Sequence, residues 1–226
     1  MSTIARFTLK EYERMIGLGV FDWPFNRRIE LIRGEIRERS AGKVARFTLE
    51  EYERMAKLGV FDPPYHRKIE LIHGLLMERD PHTPAHDEFN SRMMEWSFRR
   101  LDLARIRIRV KSPIAISEWD SMPEPDLAWL TEQSYFHRYP TNEDVLMVVE
   151  VADASLEFDR REKACLYAEG GIPEYWIVNV RDWCVEVYRG PQDGTYQSVT
   201  RHDVHDTISP LAFPDVSLSV GKLFEA

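Results

Sequence analysis

Apolar and polar positions repeat along the chain with two different periods, and each change of period marks an element. Leu49, Tyr52, Met55, Ala56 and Leu58 recur at helical spacing. Thr48 with Glu50 and Glu51 supplies an N-cap and an acidic first turn, and Gly59 supplies the stop. Pro63 and Pro64 then predict an extended connection. Segments 69–72 and 75–77 flank His73 and Gly74, which reads as a hairpin with glycine in the turn. Thr83 and Pro84 open a second helix that runs to about Leu101, with Phe89, Met93, Trp96 and Leu101 on one side.

Strict alternation over 105–111 predicts a strand with Ile106, Ile108 and Val110 towards the core. Segments 114–117 and 126–130 read as further strands. Segment 145–151 is an apolar, β-branched run of the kind buried on both faces of a sheet. Helical spacing returns from Leu156 to about Glu169, with Gly170, Gly171 and Pro173 as its end. Segments 175–178 and 185–188 are strands, residues 192–195 offer a hairpin turn, and 196–200 return as an edge strand. This order predicts an α/β (α+β) fold, a mixed β-sheet flanked by helices.

The beginning of the chain is written twice. Residues 5–15 recur as 45–55, residues 18–22 as 58–62, and residues 29–32 with Gly34 as 69–72 with Gly74; the likeness stops soon afterwards. Two copies are too few for a solenoid, which needs about three to bury a continuous core. A partial tandem duplication of one domain's beginning is the simpler account. Residues 1–44 are then an extra helix and hairpin, packed on the domain or on a partner subunit, and residues 45–226 are the functional domain. Deleting 1–44 is expected to leave that domain folded.

Composition narrows the class. Of 226 residues, 43% are hydrophobic and 30% charged, which suits a globular protein and excludes a disordered one. Cys165 and Cys184 belong to no CxxC and read as reduced thiols. No secretory signal follows Met1, and no run approaches the roughly 18 apolar residues of a membrane span. A cytoplasmic location is expected. The net charge of −8 argues against a protein that coats nucleic acid non-specifically. It leaves room for an enzyme whose acidic groups hold a cation.

Two carboxylates stand out on those terms. Asp126 starts one predicted strand and Glu150 lies near the end of a buried one. A carboxylate there is costly unless it is paired or binds a cation. Neighbouring strands would bring the two together, and oxygen ligands select Mg2+ or Mn2+. The alternative is a pair of ordinary strand-end carboxylates bonded to nearby loops.

Pro125 and Asp126, the 148–151 segment with Ser155, Asp159 and Lys163, and above all the stretch 167–178 resemble the Uma2 family (DUF820). So do segments 47–52 and 70–74, His86 and the tail 211–215; the resemblance covers essentially all of 45–226. That family belongs to the PD-(D/E)XK, restriction-endonuclease-like superfamily. The resemblance implies that Asp126 is the PD aspartate and Glu150 the acidic residue of (D/E)XK. Ala152 stands where the superfamily lysine would be, and Lys163 looks like the displaced lysine. It further implies a Mg2+-dependent endonuclease acting on DNA, with Asp126 and Glu150 holding the metal and Lys163 orienting water or balancing charge. Superfamily members often dimerise, so a homodimer is the expectation by analogy.

Other residues carry two readings each. Glu70 is either a further metal or water contact or a carboxylate in a surface ion pair. His86, at a family-typical position, is either a catalyst or a structural hydrogen-bond partner. Asp159 reads as a surface ion-pair partner of Lys163, and Glu174 as structural. Arg105, Arg107, Arg109 and Lys111 share one sheet face and either contact phosphates or form a solvated face. Trp96, Trp129, Trp176 and Trp183 are expected to pack rather than stack bases. Glu30 matches Glu70, yet the first copy has no counterpart of Asp126 or Glu150, so no second site is expected. The competing functions are a non-catalytic nucleic-acid- or protein-binding or regulatory module that keeps the fold, and a metal-dependent hydrolase of a smaller substrate.

Overall fold

A computed structural model describes residues 2–79 and 81–225. By their contacts the residues fall into two compact units, Ser2–Asp80 with Ser117–Pro123, and Pro81–Ile116 with Glu124–Ala226. Among the described residues no helix is long and apolar enough to cross a membrane.

The first unit holds both copies of the repeat, and each copy folds alike. After strand β1 (Thr3–Ile4), helix α1 spans Leu9–Gly17; β2 (Ile29–Ile32) and β3 (Glu35–Glu38) follow. The second copy gives helix α2 (Leu49–Lys57), β4 (Ile69–Ile72) and β5 (Leu75–Glu78). Both helices start with a capping box. Glu11 Oε2 accepts from Thr8 N at 2.7 Å, and Glu51 Oε2 accepts from Thr48 N at 2.8 Å. Both end alike, with Gly19 and Gly59 at φ +69° and bonds from Val20 N to Met15 O (3.1 Å) and Val60 N to Met55 O (3.0 Å). Both hairpins close on two residues with positive φ, Arg33–Gly34 and His73–Gly74, as a right-twisted ribbon requires.

The copies interlock. β1 of the first copy pairs with β5 of the second, and Ala5 N donates to Leu76 O at 2.8 Å. Conversely, Val44 bridges to Arg37 of β3, and Ala45 N donates to Ile36 O at 2.8 Å. Phe7, Met15, Val20, Ile29 and Ile36 share one buried cluster with Phe47, Met55, Val60, Ile69 and Leu76. Packing therefore does not divide at residue 44. The segment at Pro63–Pro64 is a turn, not the extended connection expected, because Tyr65 N closes back on Asp62 O at 3.2 Å.

The second unit begins with helix α3 (Pro84–Arg100) and contains β6 (Ile106–Val110), β7 (Leu127–Thr131), β8 (Val145–Ala152), β9 (Glu174–Asn179), β10 (Cys184–Gln192) and β11 (Thr195–His202). These strands form one sheet in the order β11-β10-β9-β8-β7-β6, antiparallel except for β8 and β9. The parallel pair needs a crossover, and helix α4 supplies it. α4 runs from Leu156–Phe158 through a π-helical turn, Asp159–Lys163, to Ala164–Glu169. One sheet face carries Trp129, Met147, Val149, Val151, Trp176 and Val178, packed with Met93 of α3, with Leu101 just after that helix, and with Leu223 and Phe224 near the C-terminus. The strand expected at 114–117 is only a bridge from Ala115 to Thr141, since Pro113 lacks an N–H and a 3-10 turn begins at Ser117. Trp96 stacks on Trp129 and Trp176, whereas Trp183 is 55% exposed and stacks on Phe224. Cys165 and Cys184 are free.

Candidate active site

Strand register brings the first two acidic residues together. β7 and β8 pair Leu127 with Val149, so Asp126, one step earlier, stands opposite Glu150, one step later. Directly opposed residues of an antiparallel pair project from the same face. Both are 2% exposed. Glu150 Oε2 accepts from Asp126 N at 3.2 Å, and Asp126 Oδ2 accepts from Val151 N at 2.9 Å. Each carboxylate is thus fixed by a backbone group of the other strand.

α4 covers this face and contributes three groups at four-residue intervals, Asp159, Lys163 and Tyr167. Lys163 Nζ and Tyr167 OH both donate to Glu150 Oε1, each at 2.8 Å. Lys163 is 3% exposed, a depth at which an ammonium needs such a partner. The π turn lies where Asp159 and Lys163 face inward, and such bulges recur at functional positions. Asp159 is 3% exposed and accepts from Ser155 Oγ at 2.6 Å, so it is not the surface ion-pair partner expected from its spacing. Burial first, and then the Glu150 charge, push its carboxyl up to about 8 against the pull of Lys163.

α3 reaches the same carboxylates from its N-terminus. Thr83 caps the helix by accepting from His86 N at 3.1 Å, which sets the imidazole in the first turn. His86 Nε2 lies 3.0 Å from Asp126 Oδ2. Burial disfavours the imidazolium, but the Asp126 carboxylate wins and raises the pKa of His86 above its usual value. His82, His86 and Asp87 also approach one another closely enough to share an ion. The Lys111 ammonium lies beside two of them, 2.7 Å from His82 Nδ1 and 3.2 Å from Asp87 Oδ1.

Asp126, Glu150, Lys163 and His86 therefore meet in one buried cluster. Glu70 belongs to the first unit. It is fully buried on β4, with its Oε1 3.1 Å from Arg79, so it forms an interior ion pair and not a surface one. Arg107 pairs with Glu132, Arg105 lies over the Phe213 ring at 5.4 Å, and Arg109 lies over Tyr135 at 5.6 Å. Glu174 is structural as expected: it accepts from Trp176, Arg189 and Leu211 N. Tyr167 was not singled out from the sequence for this cluster; its signal was the four-residue step from Lys163.

The donor set is hard oxygen from two strands, enclosed, with one ammonium and one imidazole close by. Asp126 and Glu150 are the residues suited to hold a small divalent cation.

A family model for Uma2, described as "Putative restriction endonuclease", matches residues 49–221. The crystal structure of a "putative nuclease belonging to DUF820" from Anabaena variabilis superposes with a TM-score of 0.60 at 14% identity. The alignment covers 79% of this chain and 97% of that one, and at this identity it shows the fold alone. Among curated proteins none matches. With the matched segment spanning α2 to the C-terminal region and containing every member of the buried cluster, the chain belongs to the Uma2 family.

Proposed function

We propose that this protein is a metal-dependent endonuclease that hydrolyses phosphodiester bonds in DNA. The observation that carries this reading is the convergence of Asp126 and Glu150 with Lys163, whose Nζ is 2.8 Å from Glu150 Oε1. Family membership supports the class of chemistry. Ala152 occupies the position at which the superfamily motif would carry lysine. Lys163 supplies an ammonium from the neighbouring helix, so the missing charge is replaced in space, not in sequence.

In this reading Asp126 and Glu150 would hold Mg2+ or Mn2+, which would polarise the phosphate and lower the pKa of a water. Tyr167 OH and Lys163 Nζ fix the Glu150 carboxylate in one orientation. The Lys163 ammonium stabilises negative charge that develops on the phosphate oxygens. His86 holds Asp126 through its Oδ2, 3.0 Å from Nε2.

Incubating the purified protein with supercoiled plasmid in Mg2+, Mn2+ or EDTA, beside Asp126→Ala, tests the proposal. Nicking by the wild type with a divalent cation, absent in EDTA and in the variant, is expected. Equal nicking by wild type and variant, or none in any condition, overturns it. DNA retention without cleavage would instead favour a binding module.

A further inference from the structure

The two copies touch each other through the same contacts in both directions. Arg67 of the second copy meets Glu11 of the first at 3.1 Å; Arg27 of the first meets Glu51 of the second at 3.1 Å. These are equivalent positions exchanged. Arg67 also donates to Arg6 O at 2.5 Å, and Arg27 to Arg46 O at 2.7 Å. Arg14 donates to Gly59 O at 2.9 Å, and Arg54 to Gly19 O at 3.3 Å. The backbone bonds from Ala5 to Leu76 and from Ala45 to Ile36, both 2.8 Å, repeat the exchange. Contacts in which residue i meets j while j meets i are the mark of an isologous, two-fold interface between identical partners.

The family match starts at residue 49, inside the second copy. Nearly all of the Anabaena chain aligns with 79% of this one.

We propose that residues 2–40 fill, within one chain, the seat that a second molecule's copy of residues 42–80 would otherwise take. The face presented by the second copy is a self-recognition surface, and its partner is another copy of itself. This chain carries both halves of a homodimer interface and has closed it internally.

The charge arrangement makes this testable in the full chain without touching the helix caps. Arg27→Glu turns one internal ion pair into a repulsion but leaves Arg67 and Glu51 intact for pairing between two chains. Arg67→Glu does the converse, leaving Glu11 and Arg27. The Arg27→Glu/Arg67→Glu double variant removes every Arg–Glu pairing of these four positions, inside and between chains. Sedimentation velocity over a range of concentrations, with circular dichroism to verify folding, reads the outcome. Each single variant is expected to shift from the wild-type size to twice that size as concentration rises, and the double variant is expected not to. A folded Arg27→Glu protein that keeps the wild-type size, or a double variant that associates as the single ones do, overturns the proposal. If Arg27→Glu does not fold, Arg27→Gln is the deciding variant, and a wild-type size at all concentrations overturns the proposal equally. The readout is independent of cleavage, so it separates from the nuclease assay.

Discussion

Asp159 sits 3% exposed beneath α4, with its carboxyl pushed up to about 8. Its unfolded value is near 3.8. The folded state therefore binds the extra proton between those limits, and stability falls as pH rises through the window. Asp159→Asn removes the ionisation. In EDTA, its melting temperature relative to wild type is expected to climb from pH 5 to pH 9; a pH-independent gap would show that the group stays ionised. Lys163 is the opposite case. Replacing it with Met strands the Glu150 charge in the interior, and the loss is expected at roughly 3–5 kcal/mol without divalent cation. Added Mg2+ is expected to recover part of it, which thermal unfolding with and without Mg2+ would measure. Asp126 and Glu150 were legible as a pair because strand positions and apolar runs determine which residues face each other. The depth of Asp159 was not. A four-residue step places it on the same helix face as Lys163, but only tertiary packing decides whether that face meets water or sheet, and no sequence period encodes a π turn.

Turn chemistry decides the elements of the repeat. Gly74 has φ +74°, and a Cβ there would lie 3.1 Å from Phe47 O and 3.1 Å from Arg46 Cβ. Gly42 has φ +61° with nothing within 4 Å. Gly74→Ala is therefore expected to cost about 1–3 kcal/mol and Gly42→Ala distinctly less, since the first adds a clash to the strain both share. Urea unfolding of the two variants side by side measures the difference; equal losses would mean that backbone strain alone matters. Thr48→Ala should lose roughly 1 kcal/mol by opening one capping box. These elements could be read from the chain because their signals are local: Thr at N-cap, Gly after the helix, Gly in the hairpin turn. The segment after Pro113 misled, because a short apolar run supplies no strand unless a neighbour offers a ladder.

At the scale of the molecule, the duplication was plain in the sequence while its packing was not. Identity at a forty-residue offset says nothing about whether the copies sit apart or together. The answer lies in contacts such as Arg67 to Glu11, which join residues 56 apart. Removing residues 1–44 takes Phe7, Met15, Val20, Ile29 and Ile36 from a shared cluster. Whatever remains must cover Phe47, Met55 and Leu76 by other means. A truncated chain that stays folded is therefore expected to self-associate, and its melting temperature is expected to rise with protein concentration as mass action requires.

Closing the reciprocal interface within one polypeptide also changes how mutation acts on it. In a pair of identical subunits every substitution is expressed on both sides at once, so each must be tolerated twice. Here the halves are separate codons, and they have begun to diverge. Trp23, 77% exposed, stands where the second copy has Pro63, and Leu31 is only partly covered where Leu71 is fully enclosed. A substitution in the first half can therefore change one side of the seam while the other side stays as it is.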